Sequence, residues 1–179
     1  MLKIVVPGSE WFNNETDEFI HTKEQVLLLE HSLMSISKWE SKWQKPFISK
    51  KPKSRQEHLD YIRCMTISKG VDPKIYTSLP PSVVEEVAKY IDDPMTATWF
   101  PKSQSKPSPE IITAERVYCW MISLGIPFEC EKWHFNKLMT LIRVCIAENN
   151  KGQKMSKKEI AAQNKAINDA RRARLGSMG

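Results

Sequence analysis

The stretch of sequence that decides the fold is Phe135-Asn-Lys-Leu-Met-Thr-Leu-Ile-Arg-Val-Cys-Ile146. Its apolar side chains recur every three or four residues, which is the spacing of one face of an α-helix. The sequence therefore predicts a helix from about Lys132 to Glu148. Leu138 and Ile142 lie in the middle of its apolar face and are predicted to be buried. The segment 149–152 (Asn-Asn-Lys-Gly) is predicted to be a linker.

Upstream, serine marks the starts of further helices. Helical spacing begins after Ser32 and ends at Pro46, and the pairs Ser54/Glu57 and Ser82/Glu85 have the spacing of a capping box. Gly70 is predicted to end the second of these helices. The third carries an apolar stripe that is predicted to face the core: Val84, Val87, Ala88 and Ile91.

The most apolar helix is predicted to begin at Ser108-Pro109, after a polar loop over residues 101–109, and to end at Leu124 before Gly125. Apolar residues surround nearly all of its faces, which is typical of a helix at the centre of a core. Trp120 and Met121 are therefore predicted to be buried.

The N-terminal residues have a β pattern. Residues 2–6 suit a short strand before Pro7-Gly8, and residues 18–20 and 25–30 suit extended chain, although 26–29 could equally begin a helix. We predict an α+β fold that is mostly α. It has a helical body over residues 1–149 with an N-terminal β-hairpin, and a basic helical or flexible tail over residues 150–179.

The net charge of +6 lies in the tail. Residues 151–179 contain eight basic and two acidic side chains, which leaves nineteen of each sign in residues 1–150. A neutral body joined to a cationic arm predicts two parts that contact different partners. Three interpretations of the arm stay open: it binds an acidic or apolar protein, it binds nucleic acid phosphates, or it is only a solvated tail.

The sequence offers no recognisable active site. The six glycines are scattered singly, so no phosphate-binding loop is indicated, and no nucleophile or metalloprotease motif occurs. Cys130 and His134 stand four apart but have no further ligands in sequence, so neither a metal nor another cofactor is expected. The four cysteines are expected to be reduced and buried, and no membrane span is expected. We expect a non-enzymatic cytoplasmic protein.

Trp39 and Trp43 lie four residues apart and share one helix face. One interpretation is that both seal the helix against the core. The other is that one of them projects as an anchor for a partner protein, because tryptophan is enriched at interface hot spots. The candidate partner-binding residues are these two and five cations of the tail: Lys157, Lys158, Arg171, Arg172 and Arg174.

Three tryptophan-rich or aromatic blocks carry a resemblance. They are residues 31–47 (HSLMSISKWESKWQKPF), 93–100 (DPMTATWF) and 127–138 (PFECEKWHFNKL), with KMSKKE at 154–159. Together they resemble a group of small tail-module proteins of long-tailed bacteriophages, which is associated with tail assembly chaperones.

The resemblance implies that the chain binds the tape measure protein in the host cytoplasm while the tail is built, and that it could act in many copies. An apolar groove for amphipathic helices is then expected on the body, and the arm could recruit tail tube subunits. No catalytic residues come with the resemblance. A structural protein of the virion and a DNA-binding accessory protein remain as alternatives.

Overall fold

The structure is a computed structural model of the 179-residue chain. It describes residues 1–13, 17–49, 51–77, 79–98, 100, 111–151 and 161. The chain divides into two compact units, Met1–Arg143 and Val144–Gly179. The predicted fold class, mostly α with a small N-terminal β element, is confirmed.

Four strands form the β element. Strand β1 (Leu2–Val6) pairs antiparallel with β4 (Gln25–Leu29), and β2 (Ser9–Asn13) pairs antiparallel with β3 (Glu18–Thr22). The register makes this one long hairpin that is interrupted near Pro7-Gly8, and β2 is the strand that the sequence did not indicate. Residues 26–29 are strand rather than helix, because Leu27 and Leu29 alternate into the core.

Five α-helices are described. They are α1 (Leu33–Trp43), α2 (Arg55–Met65), α3 (Pro81–Asp92), α4 (Ala114–Ser123) and α5 (Phe135–Lys151). Short 3-10 helices cover Pro73–Thr77 and Phe128–Lys132. Helix α1 contacts α2, α4 and the second 3-10 helix, and α3 contacts β1. The core therefore lies around α1, between the β element and the other helices.

The start of α2 was predicted and its end was not. The Ser54 side chain accepts from the Glu57 backbone N–H, and the Glu57 carboxylate accepts from the Ser54 backbone N–H, so the capping box is confirmed. The helix ends at Met65 and not at Gly70. The reason is that the Glu30 N–H donates to the Met65 carbonyl and the Ile67 N–H donates to the Leu28 carbonyl, which adds residues 65–67 to the free edge of β4.

Helix α3 corrects both the predicted cap and the predicted stripe. The helix begins at Pro81, two residues earlier than a Ser82 cap requires, and no side chain caps it. Proline suits this first position because its fixed φ is already helical. The buried face is Val83, Val87 and Tyr90, whereas Ala88 is exposed. Only Val87 of the predicted stripe is fully buried, and Val84 and Ile91 are half-buried, because tertiary packing, which includes contact with β1, sets the buried face of α3.

Helix α4 is not apolar on every face. It buries Ala114, Val117 and Met121, while Ile122 is exposed and Trp120 is half-buried. The prediction for Met121 is confirmed, and the prediction that Trp120 is fully buried is wrong. The helix begins at Ala114, because Ile112 first pairs with Ile48 in a β-bridge. The predicted loop over residues 101–109 lies outside the described residues.

Helix α5 has the predicted apolar face. Phe135, Leu138 and Ile142 are buried. The helix starts at Phe135 and continues to Lys151, so Asn149 and Asn150 are helical and do not form the predicted linker. Among the described residues, no helix is long and apolar enough to cross a membrane.

Candidate functional site: a basic cleft beside Trp43

The two tryptophans of α1 have different surroundings. Trp39 is 1% exposed, and its indole N–H donates to the Glu57 carbonyl oxygen at 2.9 Å. Trp43 is half-buried and stacks on Trp39 with ring centroids 6.0 Å apart. The Lys42 and Lys45 ammonium groups lie 5.6 and 5.7 Å from the centre of the Trp43 ring. Trp39 thus belongs to the core, and Trp43 is the member of the pair that a partner can reach.

A single carboxylate organises the side chains next to Trp43. Asp60, which α2 holds almost fully buried, accepts hydrogen bonds from Lys42 Nζ at 2.6 Å, Trp43 Nε1 at 2.8 Å and Arg63 Nε at 2.9 Å. Burial alone would raise the pKa of Asp60, but these three donors outweigh it and lower the pKa. The Asp60 hydrogen bond also raises the pKa of Arg63. The carboxylate therefore stays ionised and holds both cations in place.

These side chains border a cleft of about 550 Å³. Trp43 and Tyr76 supply aromatic surface and Leu59 and Pro73 aliphatic surface, while Lys42, Arg55 and Arg63 supply positive charge and Asp60 the negative charge. The volume falls within the range of ligand pockets, about 300–1,000 Å³. A concave site that combines apolar walls with cations can bind an anionic group attached to an apolar one.

The body is neutral overall, but its charges are not evenly distributed. Residues 38–63 contain eight basic and three acidic side chains, which leaves eleven basic and sixteen acidic side chains in the rest of residues 1–150. The three acids, Glu40, Glu57 and Asp60, are buried. Of the cations in this segment, those that the structure describes are exposed, except for the half-buried Lys53. The α1–α2 side of the body is therefore strongly basic, which the charge totals did not indicate.

The buried acids of this segment hold its backbone in place. The Glu40 carboxylate accepts from the Phe47 N–H at 2.6 Å and from the Ala114 N–H at 2.7 Å, and so joins the loop after α1 to the start of α4. Glu57 accepts from Lys45 Nζ and from the Ser54 N–H, each at 2.6 Å, and these bonds lower its pKa to about 2. The acid side chains are thus buried, whereas the cations that Glu57 and Asp60 bind extend into solvent.

A second group of polar side chains lies inside the body. This histidine cluster consists of His31, Ser35, Tyr61, Tyr90 and His134, all of them buried or nearly so. The His31 Nδ1 and Tyr61 hydroxyl atoms are 2.5 Å apart, and the two histidine rings are 5.1 Å apart. His134 Nε2 donates to the Tyr90 carbonyl at 3.0 Å, and its Nδ1 has no partner among the described residues.

The cluster has residue types that are common in active sites but offers no surface to a substrate. Burial lowers the pKa of His31 to about 3, with His134 contributing, and burial also raises the pKa of Tyr61. Both groups are therefore neutral near pH 7. Ser35 accepts from the Ser32 N–H as part of the α1 cap, and Tyr90 donates to Glu30. The cluster connects α1, α2 and α3 with the start of α5.

Two exposed apolar surfaces lie elsewhere on the first unit. On the outer face of the β element, Val5 lies opposite Val26, and Ile67 lies beside Leu28. On α4, Tyr118 lies between the exposed Ile122, four residues along the helix, and the exposed Phe128, whose ring centroid is 6.4 Å from that of Tyr118.

The remaining predicted residues are placed as follows. The tail cations Lys157, Lys158, Arg171, Arg172 and Arg174 lie outside the described residues. All four cysteines are free, but only Cys130 is fully buried, and Cys119 is exposed, which corrects the expectation of four core cysteines. No group of three or more His, Cys, Asp or Glu that could hold a metal occurs in the part of the chain that the structure describes.

Sequence reasoning missed most of the cleft. It singled out Trp43 but not Lys42, Arg55, Asp60 or Arg63, which converge on the cleft with it. One signal was present in the sequence: Asp60 is followed three residues later by Arg63, a helix-surface ion pair. The excess of basic residues over 38–63 is a second signal, which the zero net charge of residues 1–150 conceals.

No protein-family model, no curated protein and no solved structure matches this chain.

Proposed function

We propose that the chain is a non-enzymatic tail assembly chaperone of a long-tailed bacteriophage that acts in the host cytoplasm. Its partner is the tape measure protein, bound through the cleft beside Trp43. The observation that carries the proposal is the cleft itself: a half-buried tryptophan, backed by Trp39, with cations around it. Tryptophan and arginine are the residues most enriched at interface hot spots.

The chemistry of the histidine cluster supports a binding role over a catalytic one. A general base must reach the proton that it removes, and His31 and His134 are enclosed by protein with lowered pKa values. The cleft residues are cations, aromatics and one ion-paired carboxylate. Such groups suit recognition of another molecule.

Co-expression with the tape measure protein of the same phage tests the proposal. The wild-type chain should increase the soluble fraction of the tape measure protein, and Trp43→Ala should abolish most of that increase. Trp133→Ala is the matched control, because Trp133 is also partly exposed and also lies under a lysine, Lys137. Circular dichroism checks that both variants are folded. A tape measure protein that is equally soluble without this chain would contradict the assignment.

A structural role in the virion is the second candidate, carried by the exposed apolar surfaces around Val5 and Ile122, which could be buried between neighbouring subunits. Mass spectrometry of purified virions separates the two: a chaperone should be absent from the particle, and a structural subunit should be present. A DNA-binding role is less favoured, and a test for it is included in the next experiment.

A further inference from the structure

We propose that the cleft beside Trp43 recognises an acidic, amphipathic protein segment, in which carboxylates flank one large apolar side chain. This inference rests on the proposed function in taking the ligand to be a protein. It goes further by naming the chemistry of the bound segment.

The cations of the cleft are arranged to hold carboxylates. Arg63 binds Asp60 through Nε, and its terminal nitrogens bind no acceptor among the described residues. Arg55 also lines the cleft and has no acidic partner in the described part of the chain. Arginine presents a planar fork of donors that matches a carboxylate. Because Asp60 already holds Arg63 and Lys42 in place, less side-chain entropy is lost when a ligand binds.

The walls of the cleft favour an apolar side chain between the carboxylates. Leu59 and Pro73 line it together with the Trp43 and Tyr76 rings. These groups are held in place: Trp43 is stacked on Trp39, and the Tyr76 hydroxyl donates to Thr66 Oγ1 at 2.8 Å. A preformed apolar wall next to Arg55 and Arg63 is complementary to an amphipathic segment of a partner helix or strand.

Nucleic acid fits the same site less well. Stacking on bases requires an accessible aromatic face, but one face of Trp43 is stacked on Trp39 and Tyr76 is almost fully buried. The positive charge attracts either polymer at long range, so the limited access to the aromatic rings is what distinguishes them.

The test measures binding of a fluorescein-labelled synthetic peptide of repeated Glu-Leu-Glu units to the full chain by fluorescence anisotropy. The basic tail attracts any anion, so the comparison is between variants of the full chain that share the same tail. Arg55→Glu/Arg63→Glu should weaken binding at least about tenfold, since two charge-assisted contacts are lost. Lys3→Glu/Lys89→Glu is the control, because it makes the same charge change at exposed lysines that do not line the cleft. It should weaken binding less than about threefold.

A second readout locates the site. The indole N–H of Trp43 donates to Asp60, so its NMR signal, assigned by its loss in Trp43→Phe, should shift when the peptide is added. Equal weakening in both double variants, or an unshifted Trp43 signal, would overturn the inference. So would single-stranded oligothymidine, used as the nucleic-acid probe, if it shifted the same signal at lower concentration than the peptide.

Failure of this inference can be distinguished from failure of the proposed function. If the peptide binds at Trp43 but the tape measure protein is unaffected, the ligand chemistry holds and the partner is a different acidic protein. If the chain keeps the tape measure protein soluble and the peptide does not bind, the chaperone role holds and the acidic specificity is wrong.

Discussion

The histidine cluster and the Asp60 network show two ways in which this protein buries polar groups. In the cluster, neutral rings and hydroxyls bind one another inside the body, and the Nδ1 atom of His134 is left without a partner among the described residues. In the network, a buried carboxylate is neutralised by cations whose side chains are about half exposed. The first arrangement shuts out solvent, and the second brings charge to the surface.

The difference shows how residue type and function are related. Histidine, tyrosine and serine are familiar catalytic residues, but at full burial they contribute to stability and to the arrangement of helices. Lysine, arginine and tryptophan at the edge of a buried acid are accessible to other molecules. The location of a polar group relative to solvent, more than its identity, therefore separates the structural cluster from the candidate binding site.

The largest effect that we expect is a loss of stability in mild acid, which arises from the histidine cluster and not from the Asp60 network. The folded state excludes a proton from His31 down to about pH 3, whereas in the unfolded chain the histidine takes up that proton below about pH 6.5. The contribution of the neutral His31 ring to the free energy of unfolding is therefore at its full value above about pH 6.5, and it decreases as the pH falls below that value. Between pH 6.5 and 4.5 the loss should reach about 2–3 kcal/mol for His31 alone, and His134, whose pKa is also lowered, should add to it.

Urea unfolding at several pH values measures this loss. Within that window the carboxylates of Glu57 and Asp60 stay ionised in the folded state, since their pKa values are lowered. His31→Gln should reduce the dependence of the unfolding free energy on pH, although the variant will be less stable at pH 7. His58→Gln is the control, because it makes the same substitution at an exposed histidine. Identical pH profiles for both variants would show that the buried ring does not govern acid lability.

Removing one hydroxyl from the cluster should have the next largest effect. Tyr61→Phe keeps the ring but leaves His31 Nδ1 without its partner, and Ser35 loses a contact at 3.2 Å. An unsatisfied buried polar atom costs about 1–3 kcal/mol. Tyr76→Phe is the matched control: it loses one bond to Thr66, which is only half-buried, and should cost less. Chemical denaturation at pH 7 compares the two, and a larger cost at Tyr76 would contradict the view that the cluster is the more tightly coupled region.

Local sequence patterns predicted much of the helical fold and little of either polar region. The Ser54/Glu57 cap and the Leu138/Ile142 face depend on neighbours within one helix, and both are confirmed. The start of α3 depends on the Pro80-Pro81 pair, a local signal that is present in the sequence. The end of α2 depends on hydrogen bonds to strand residues 35 to 39 positions earlier in the chain, and the start of α4 depends on a bridge to Ile48. Such tertiary contacts leave no periodic signal along the chain.

The two regions differ in how far the sequence could reveal them. His31 and His134 are 103 positions apart in the numbering, and only the folded chain places their rings 5.1 Å apart. Asp60 and Arg63 lie within one turn of α2, and Lys42 and Trp43 are adjacent on α1. The charge excess over residues 38–63 could have been found by counting in windows. The sequence could not reveal that the acids are buried and the cations exposed, because this depends on how α1 packs against α2.

The smallest effect on stability is expected from neutralising Asp60, and this prediction sharpens the comparison. Asp60→Asn keeps the shape of the side chain and an oxygen for the Trp43 indole N–H, but removes the charge that holds Lys42 and Arg63. Because both cations are about half exposed, water replaces much of the lost interaction, and the cost should be about 1 kcal/mol or less.

The Glu-Leu-Glu peptide should nevertheless bind with altered affinity and an altered NMR signal at Trp43, since the cations are no longer held. Urea unfolding and the anisotropy titration measure the two quantities on the same sample. A loss of stability above about 3 kcal/mol would mean that Asp60 behaves as a buried charge of the core, and the distinction between the interior cluster and the surface network would then fail.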